Sequence, residues 1–146
     1  MWMLWIRSRL RWVIRLSYRQ SRGEKRLTLN NRNKGKLYEQ QAASFLKEKG
    51  FCLLVQNFRC RQGEVDLIGI HQECLVFVEV KYRKSIRSGM PEEAVGVSKQ
   101  VRICRVSDYY RFIHPKQGMR QLRYDVVAID DGEIRWHQNA FPYHPV

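Results

Sequence analysis

Three charged residues interrupt two apolar runs. Asp66 stands within Gly63-Glu64-Val65-Asp66-Leu67-Ile68, and Glu79 and Lys81 stand within Phe77-Val78-Glu79-Val80-Lys81. Both runs have the length and the Val/Ile/Phe content of strands. A charge in mid-strand costs stability unless it is paired or bound to a cation. A hairpin turn of two residues (Gln72-Glu73) or of four (His71 to Cys74) sets Asp66 opposite Glu79, with Cβ atoms about 5 Å apart. Lys81 follows Glu79 by two residues and shares its face. A turn of three would slip the register by one and turn the set apart. Gln-Glu is not a favoured two-residue turn, so a four-residue turn is expected.

Two readings of this set stand level on the residues alone. Two facing carboxylates repel unless positive charge lies between them. Mg²⁺ (or Mn²⁺) suits such a place, since Mg²⁺ takes one or two carboxylates and fills its shell with waters and phosphate oxygens. Such an ion would polarise a phosphate and acidify a bound water. Lys81 would orient that water and stabilise charge on phosphorus. Glu39, from the preceding helix, would add an outer-shell ligand or a base acting through one water. On the other reading, Asp66, Glu79 and Lys81 form an ion cluster on the solvent side of an antiparallel sheet.

The elements that must position these residues follow from periodicity. Residues 34–49 carry Tyr38, Ala42, Phe45, Leu46 and Lys49 at helical spacing, with Gly50 as the stop. Phe51 to Phe58, Glu64 to Ile70 and Cys74 to Tyr82 read as three strands. Arg83 to Gly89 reads as a basic loop, and Pro91-Glu92-Glu93 as a helical turn. Val97 to Ile113 reads as a second long helix, ended by His114-Pro115. Leu122 to Ile129 is a fourth strand, and after the turn signal Asp131-Gly132 comes a short fifth, Glu133 to Trp136. The order α-β-β-β-α-β predicts an α/β fold, a mixed sheet of four to five strands flanked by helices.

Charge is unevenly spread. The 146 residues hold 27 Lys and Arg against 14 Asp and Glu, a net charge of +13, yet residues 1–36 alone hold 11 basic side chains and one acid, Glu24. The folded part is therefore only mildly basic, although the field of the chain favours polyanions. Arg7, Arg11, Arg15 and Arg19 recur on one helical face, and Trp2, Trp5, Ile6, Trp12, Val13 and Leu16 on the other. Residues 1–33 thus read as a basic amphipathic or disordered leader, with membrane-surface contact as one outcome, and residues 34–146 as the domain. The arginines break any apolar core of a secretory signal. Cys52, Cys60, Cys74 and Cys104 form no C-x-x-C pair and no zinc-ligand pattern. They read as reduced thiols of a cytoplasmic protein.

The spacing of Asp66 and Glu79-Val80-Lys81 resembles the D…E-x-K core of the restriction-endonuclease-like superfamily. With Glu39 it is similar to the archaeal Holliday junction resolvases. Six blocks in order resemble the small bacterial YraN-like family: Gly35-Lys-Leu-Tyr-Glu39, Asn57-Phe-Arg59, Gly63-Glu-Val-Asp-Leu-Ile68, Phe77-Val-Glu-Val-Lys-Tyr-Arg83, Ser98-Lys-Gln100 and Arg123-Tyr-Asp-Val-Val127. The resemblance runs from about Lys34 to Phe141 and leaves the leader uncovered. Val65 stands where the superfamily often has proline. The resemblance implies a nuclease-type fold, a divalent metal and a nucleic-acid substrate. By position it makes Asp66 and Glu79 metal ligands, Lys81 the catalytic lysine and Glu39 the helix carboxylate. Related nucleases often act as dimers, which makes a homodimer an expectation.

Around this core, Arg59, Arg61, Arg83 and Lys84 are expected to hold phosphates along a groove. Lys99 and Gln100, opening the second long helix, are candidates for one more. Asp125 reads either as a residue behind the site or as the partner of an arginine such as Arg123 or Arg59. His71, His114, His137 and His144 show no ligand spacing. Two functions follow: a metal-dependent endonuclease acting on DNA, branched or structured DNA included, or a non-catalytic nucleic-acid-binding module with the same fold.

Overall fold

The computed structural model describes residues 31–83, 95–130 and 132–145. The expected leader as far as residue 30, the basic loop from Lys84 to Gly89, the Pro91-Glu92-Glu93 turn and the side chain of Arg83 lie outside the described residues. Helix α1 (Asn31–Glu48) is followed by strands β1 (Cys52–Cys60), β2 (Gly63–His71) and β3 (Cys74–Arg83). Helix α2 (Val97–Ile113), a single turn α3 (Pro115–Gly118), β4 (Leu122–Asp130) and β5 (Glu133–His137) complete the chain. The expected mixed α/β architecture is therefore present, and α3 is the one described element that was not anticipated.

The five strands lie in the order β1-β2-β3-β4-β5. β1, β2 and β3 pair antiparallel, β3 and β4 pair parallel, and β5 returns antiparallel on β4. α2 supplies the long connection that a parallel pair needs. The sheet is covered on both faces. On one side Ala42, Ala43 and Leu46 of α1 pack on Leu67, Val76, Val78, Val127 and Ile129. On the other, Ile103, Val106 and Tyr110 of α2 pack on Val65, Ile68, Leu75, Phe77 and Val126. Burial on both faces explains why Leu75 to Val78 reads as an unbroken apolar run. It also makes Glu79 conspicuous, since strand alternation places it on the α2 side with Phe77.

Two local backbone features shape the strands around Asp66 and Glu79. The turn joining β2 to β3 has two residues, not the four expected: His71 pairs with Cys74, and Gln72 and Glu73 take φ of +48° and +65°. Positive φ at both central positions matches the right-handed twist of the strands, which outweighs the poor turn preference of Gln-Glu. Arg120 bonds the Glu73 carboxylate at 2.8 Å and so ties the turn down. In β1, Asn57 lies between the pairs Gln56–Leu67 and Phe58–Val65 with φ +56°. Asn tolerates this left-handed backbone better than most residues. Across from it the alternation of β2 breaks, for Val65 belongs to the α2-side core and Leu67 to the α1-side core. Asp66 stands at that break.

At the other end of the sheet a buried ionic cluster pins β4 and β5. Asp125, fully buried, accepts from Arg123 Nε at 2.9 Å, Trp136 Nε1 at 2.8 Å and the Asn139 amide at 2.9 Å. Arg123 reaches on to His71 Nδ1 at 3.0 Å. Asp125 is thus the partner of Arg123, whereas Arg59 pairs with Glu64 on the surface. We expect Asp125→Ala to destabilise the fold by about 3–5 kcal/mol, the cost of orphaning a buried ion-pair partner. Urea unfolding would read this as a lower midpoint at unchanged slope.

Candidate functional site

The first half of β2, the last part of β3 and the start of α2 meet at the carboxyl end of the parallel pair β3–β4. Open α/β sheets characteristically bind ligands at that end. The β2–β3 ladder reaches Leu67–Val78, so Asp66 and Glu79 occupy the next step in the same register. The ladder stops there. The Val80 amide donates instead to the Asp66 carboxylate, at 2.7 Å from Oδ2. One carboxylate oxygen has taken the place of a strand carbonyl, and this fixes Asp66 against β3.

Glu79 is 5% exposed, and two lysines hold it. Lys81 Nζ donates to Oε1 at 2.8 Å. Lys99 Nζ, from the first turn of α2, lies 3.2 Å from Oε2, though without hydrogen-bond geometry, since Oε2 is buried with no hydrogen-bond partner among the described residues. Glu39 comes from α1 on the opposite face of the sheet. Its Oε2 is likewise buried and without a hydrogen-bond partner among the described residues. Beside it Tyr38 stacks on Tyr82, ring centroids 4.0 Å apart and 10° from parallel.

The electrostatics reflect this crowding. Burial, then the charge of Glu79 and to a smaller degree that of Glu39, push the Asp66 acid up to about 7. The Val80 hydrogen bond and Lys99 pull the other way without compensating. A carboxyl so placed keeps a proton unless positive charge arrives.

Two orphaned carboxylate oxygens and a proton-retaining aspartate fit an oxygen-seeking divalent cation. Among the described residues, no group of three or more His, Cys, Asp or Glu side chains is placed to hold a metal ion by itself. An ion held here would have to keep most of its waters, as Mg²⁺ does, since the described residues offer no closed cage. Asp66 and Glu79, with Glu39 behind them, are the carboxylates that such an ion would contact.

The remaining candidates fare differently. Arg59 and Arg61 are exposed at the end of the β1–β2 hairpin, and Arg59 pairs with Glu64 at 3.1 Å, a contact of little energy at such exposure. Lys99 turns inward to Glu79 rather than outward. Gln100 is buried; its amide donates to the Val95 carbonyl at 2.7 Å and meets His144 at 2.8 Å. It anchors the start of α2 instead of presenting itself to a strand. The sequence reading missed two things. Lys99 is a second cation for Glu79, and its place in the first helical turn after the basic loop was the available signal. Tyr38 and Tyr82 pair beside the site, foreshadowed only by their adjacency to Glu39 and Lys81. Among the described residues no helix is long and apolar enough to cross a membrane.

Comparison with known proteins places these residues in a lineage. A protein of Lachnoclostridium phytofermentans is 41% identical over 113 residues, spanning 77% of this chain and 96% of its own. One of Syntrophus aciditrophicus is 47% identical over 105 residues, 71% of this chain and 80% of its own. One of Psychromonas ingrahamii is 42% identical over 118 residues, 80% and 95%. Each is called a UPF0102 protein. The family profile matches residues 38–129, which run from Tyr38 through Asp66, Glu79, Lys81 and Lys99 to Ile129 at the end of β4. With that span and those identities, the chain belongs to the uncharacterised protein family UPF0102, the YraN-like family.

Proposed function

We propose that this protein is a metal-dependent phosphodiesterase of the restriction-endonuclease-like kind, cutting nucleic acid, and DNA in the first place. One observation carries the reading: carboxylates from three separate elements, Asp66, Glu79 and Glu39, crowd one end of the sheet with too few partners, and two lysines stand beside them. Stability does not call for such a grouping, and its charges disfavour the metal-free fold.

Asp66 and Glu79 would hold the cation. When bound, it supplies positive charge to a phosphate oxygen and acidifies a water. The chain's own residues do the rest. The Val80 amide keeps the Asp66 carboxylate fixed. Lys81, one-third exposed, is free to turn from Glu79 toward an incoming phosphate once a cation satisfies that carboxylate. Its ammonium then stabilises charge gathering on the phosphoryl oxygens. Lys99 stays on the inner oxygen of Glu79 and keeps it aimed. Glu39, on the far side of Asp66, is placed to accept a proton through one water.

A second reading has its own support. Glu79 already carries two lysines, and no three-ligand metal cluster is assembled among the described residues. A nucleic-acid-binding module that has no need of metal would look like this too. It predicts binding with a steep salt dependence and no heat from metal titration.

The deciding experiment is a cleavage assay on linear, nicked, flapped and four-way-junction DNA with Mg²⁺ or Mn²⁺. We expect nicking that Asp66→Ala and Glu79→Ala abolish while circular dichroism stays unchanged, and a loss of about 100-fold or more for Lys81→Ala. Equal cleavage by parent and variants would mark a contaminant and overturn the proposal. The pH response has a definite sign. The Asp66 acid is raised in the fold, so its contribution to metal-free stability is full below about pH 4, its unfolded value, and is lost as pH rises through about 7. Thermal melts of metal-free protein should show Asp66→Asn flattening this part of the profile. Metal and proton compete for the same oxygens, so calorimetric Mg²⁺ affinity should rise from pH 6 to pH 8 in the parent and not in Asp66→Asn.

A further inference from the structure

A cavity of about 380 Å³ opens between the β1–β2 turn and the second half of α2, lined by Phe58, Arg59, Cys60, Arg61, Gln62, Tyr109 and Ile113. Its floor is apolar and aromatic. Phe58 is held edge-on by Tyr110, centroids 5.2 Å apart, while Tyr109 and Ile113 remain 39% and 42% exposed. Its rim is cationic. Arg61 makes no ion pair among the described residues, and the partner of Arg59, Glu64, is itself half exposed and displaceable.

The cavity is linked to the carboxylates by α2. Lys99, Arg102, Tyr109 and Ile113 fall on one helical face. Lys99 reaches Glu79 at one end. The stem of Arg102 lies over Gly63, where a Cβ would stand 2.7 Å from Arg102 Cγ. Gly63 also has φ +147°, so only glycine lets helix and hairpin approach this closely. Ten residues separate Lys99 from Tyr109, about 15 Å along the axis, a span of a few nucleotides.

We infer that this cavity takes an unpaired nucleobase of the strand whose phosphate is cut at Asp66 and Glu79. The pairing of π-faces with arginines is what single strands require, since bases stack on aromatics while cations follow the backbone. The Gln62 amide can both donate to and accept from a base edge. A base locked in a duplex cannot enter, so the site selects single-stranded, flapped or junction substrates over blunt duplex. The inference rests on the proposed nuclease reading for the position of the cut, and on the cavity alone for the base.

The test keeps the two apart by measuring binding without metal. A single-stranded oligonucleotide carrying 2-aminopurine is titrated with the full chain in EDTA, with a blunt duplex of equal length alongside. We expect quenching of the fluorophore on binding. We expect Tyr109→Ala and Ile113→Ser, both at surface positions, to weaken single-strand binding about tenfold, with duplex binding unchanged and Tyr109→Phe restoring affinity. Arg61→Ala should reduce the salt slope by about one. Absence of binding, absence of quenching, or an equal loss on duplex and single strand would overturn the inference. Quenching with no cleavage under any metal would leave the base site standing and remove the hydrolase.

Discussion

The repulsion between the carboxylates of Asp66 and Glu79 is the constraint around which this structure is arranged. The β2–β3 register brings the two acids to one step of the sheet, and burial denies them the water that would screen them. The fold answers with positive charge from two directions, Lys81 along the same strand and Lys99 from α2. It also answers with a proton on Asp66, whose acid is raised to about 7. None of these is a full solution, for the inner oxygens of Glu79 and Glu39 find no hydrogen-bond partner among the described residues. The cation proposed above would relieve this condition in an otherwise well-packed domain.

The rest of the molecule is built to hold that tension. Each face of the sheet has its own apolar core, so β3 is clamped between α1 and α2 and cannot swing to separate the acids. The C-terminal tail reinforces α2. Phe141 packs on Tyr124, His144 meets Gln100, and Tyr143 bonds Asp108. Tyr124 in turn shares a short hydrogen bond with Ser107 of α2, and burial pushes its hydroxyl pKa well above the ordinary range, so the phenol stays protonated. These contacts fix the helix whose first turn delivers Lys99. The Asp125 cluster does the same for β4 at the far end of the sheet.

Much of this was legible beforehand because it follows from periods of two and 3.6. The bounds of α2 could be read directly, since a helical pattern runs from Val97 until His114-Pro115 ends it. β3 stood out through its apolar run and the charges that break it. The relation between Asp66, Glu79 and Lys81 depended only on the parity of one turn. The length of that turn was not legible, because the preference against Gln-Glu is small beside the twist of two well-paired strands. The break in alternation at Asp66 was hidden as well. It lies opposite the left-handed backbone of Asn57 on the neighbouring strand, a tertiary accommodation that propensity does not record. Lys99 and Gln100 looked alike as residues opening a helix, yet one turned to the carboxylate and the other into the core. Helix rotation decided between them, and a mean hydropathy pattern this shallow does not fix the rotation.

The central claim, that one cation is shared by Asp66 and Glu79, is tested most directly by diffraction from crystals soaked in Mn²⁺ and recorded at an energy where manganese scatters anomalously. The account predicts a single strong peak about 2.1 Å from an oxygen of each carboxylate, with Lys81 turned away from Glu79. A Mn²⁺-saturated crystal with no peak between the two acids, and with Glu79 still clasped by both lysines, would contradict it.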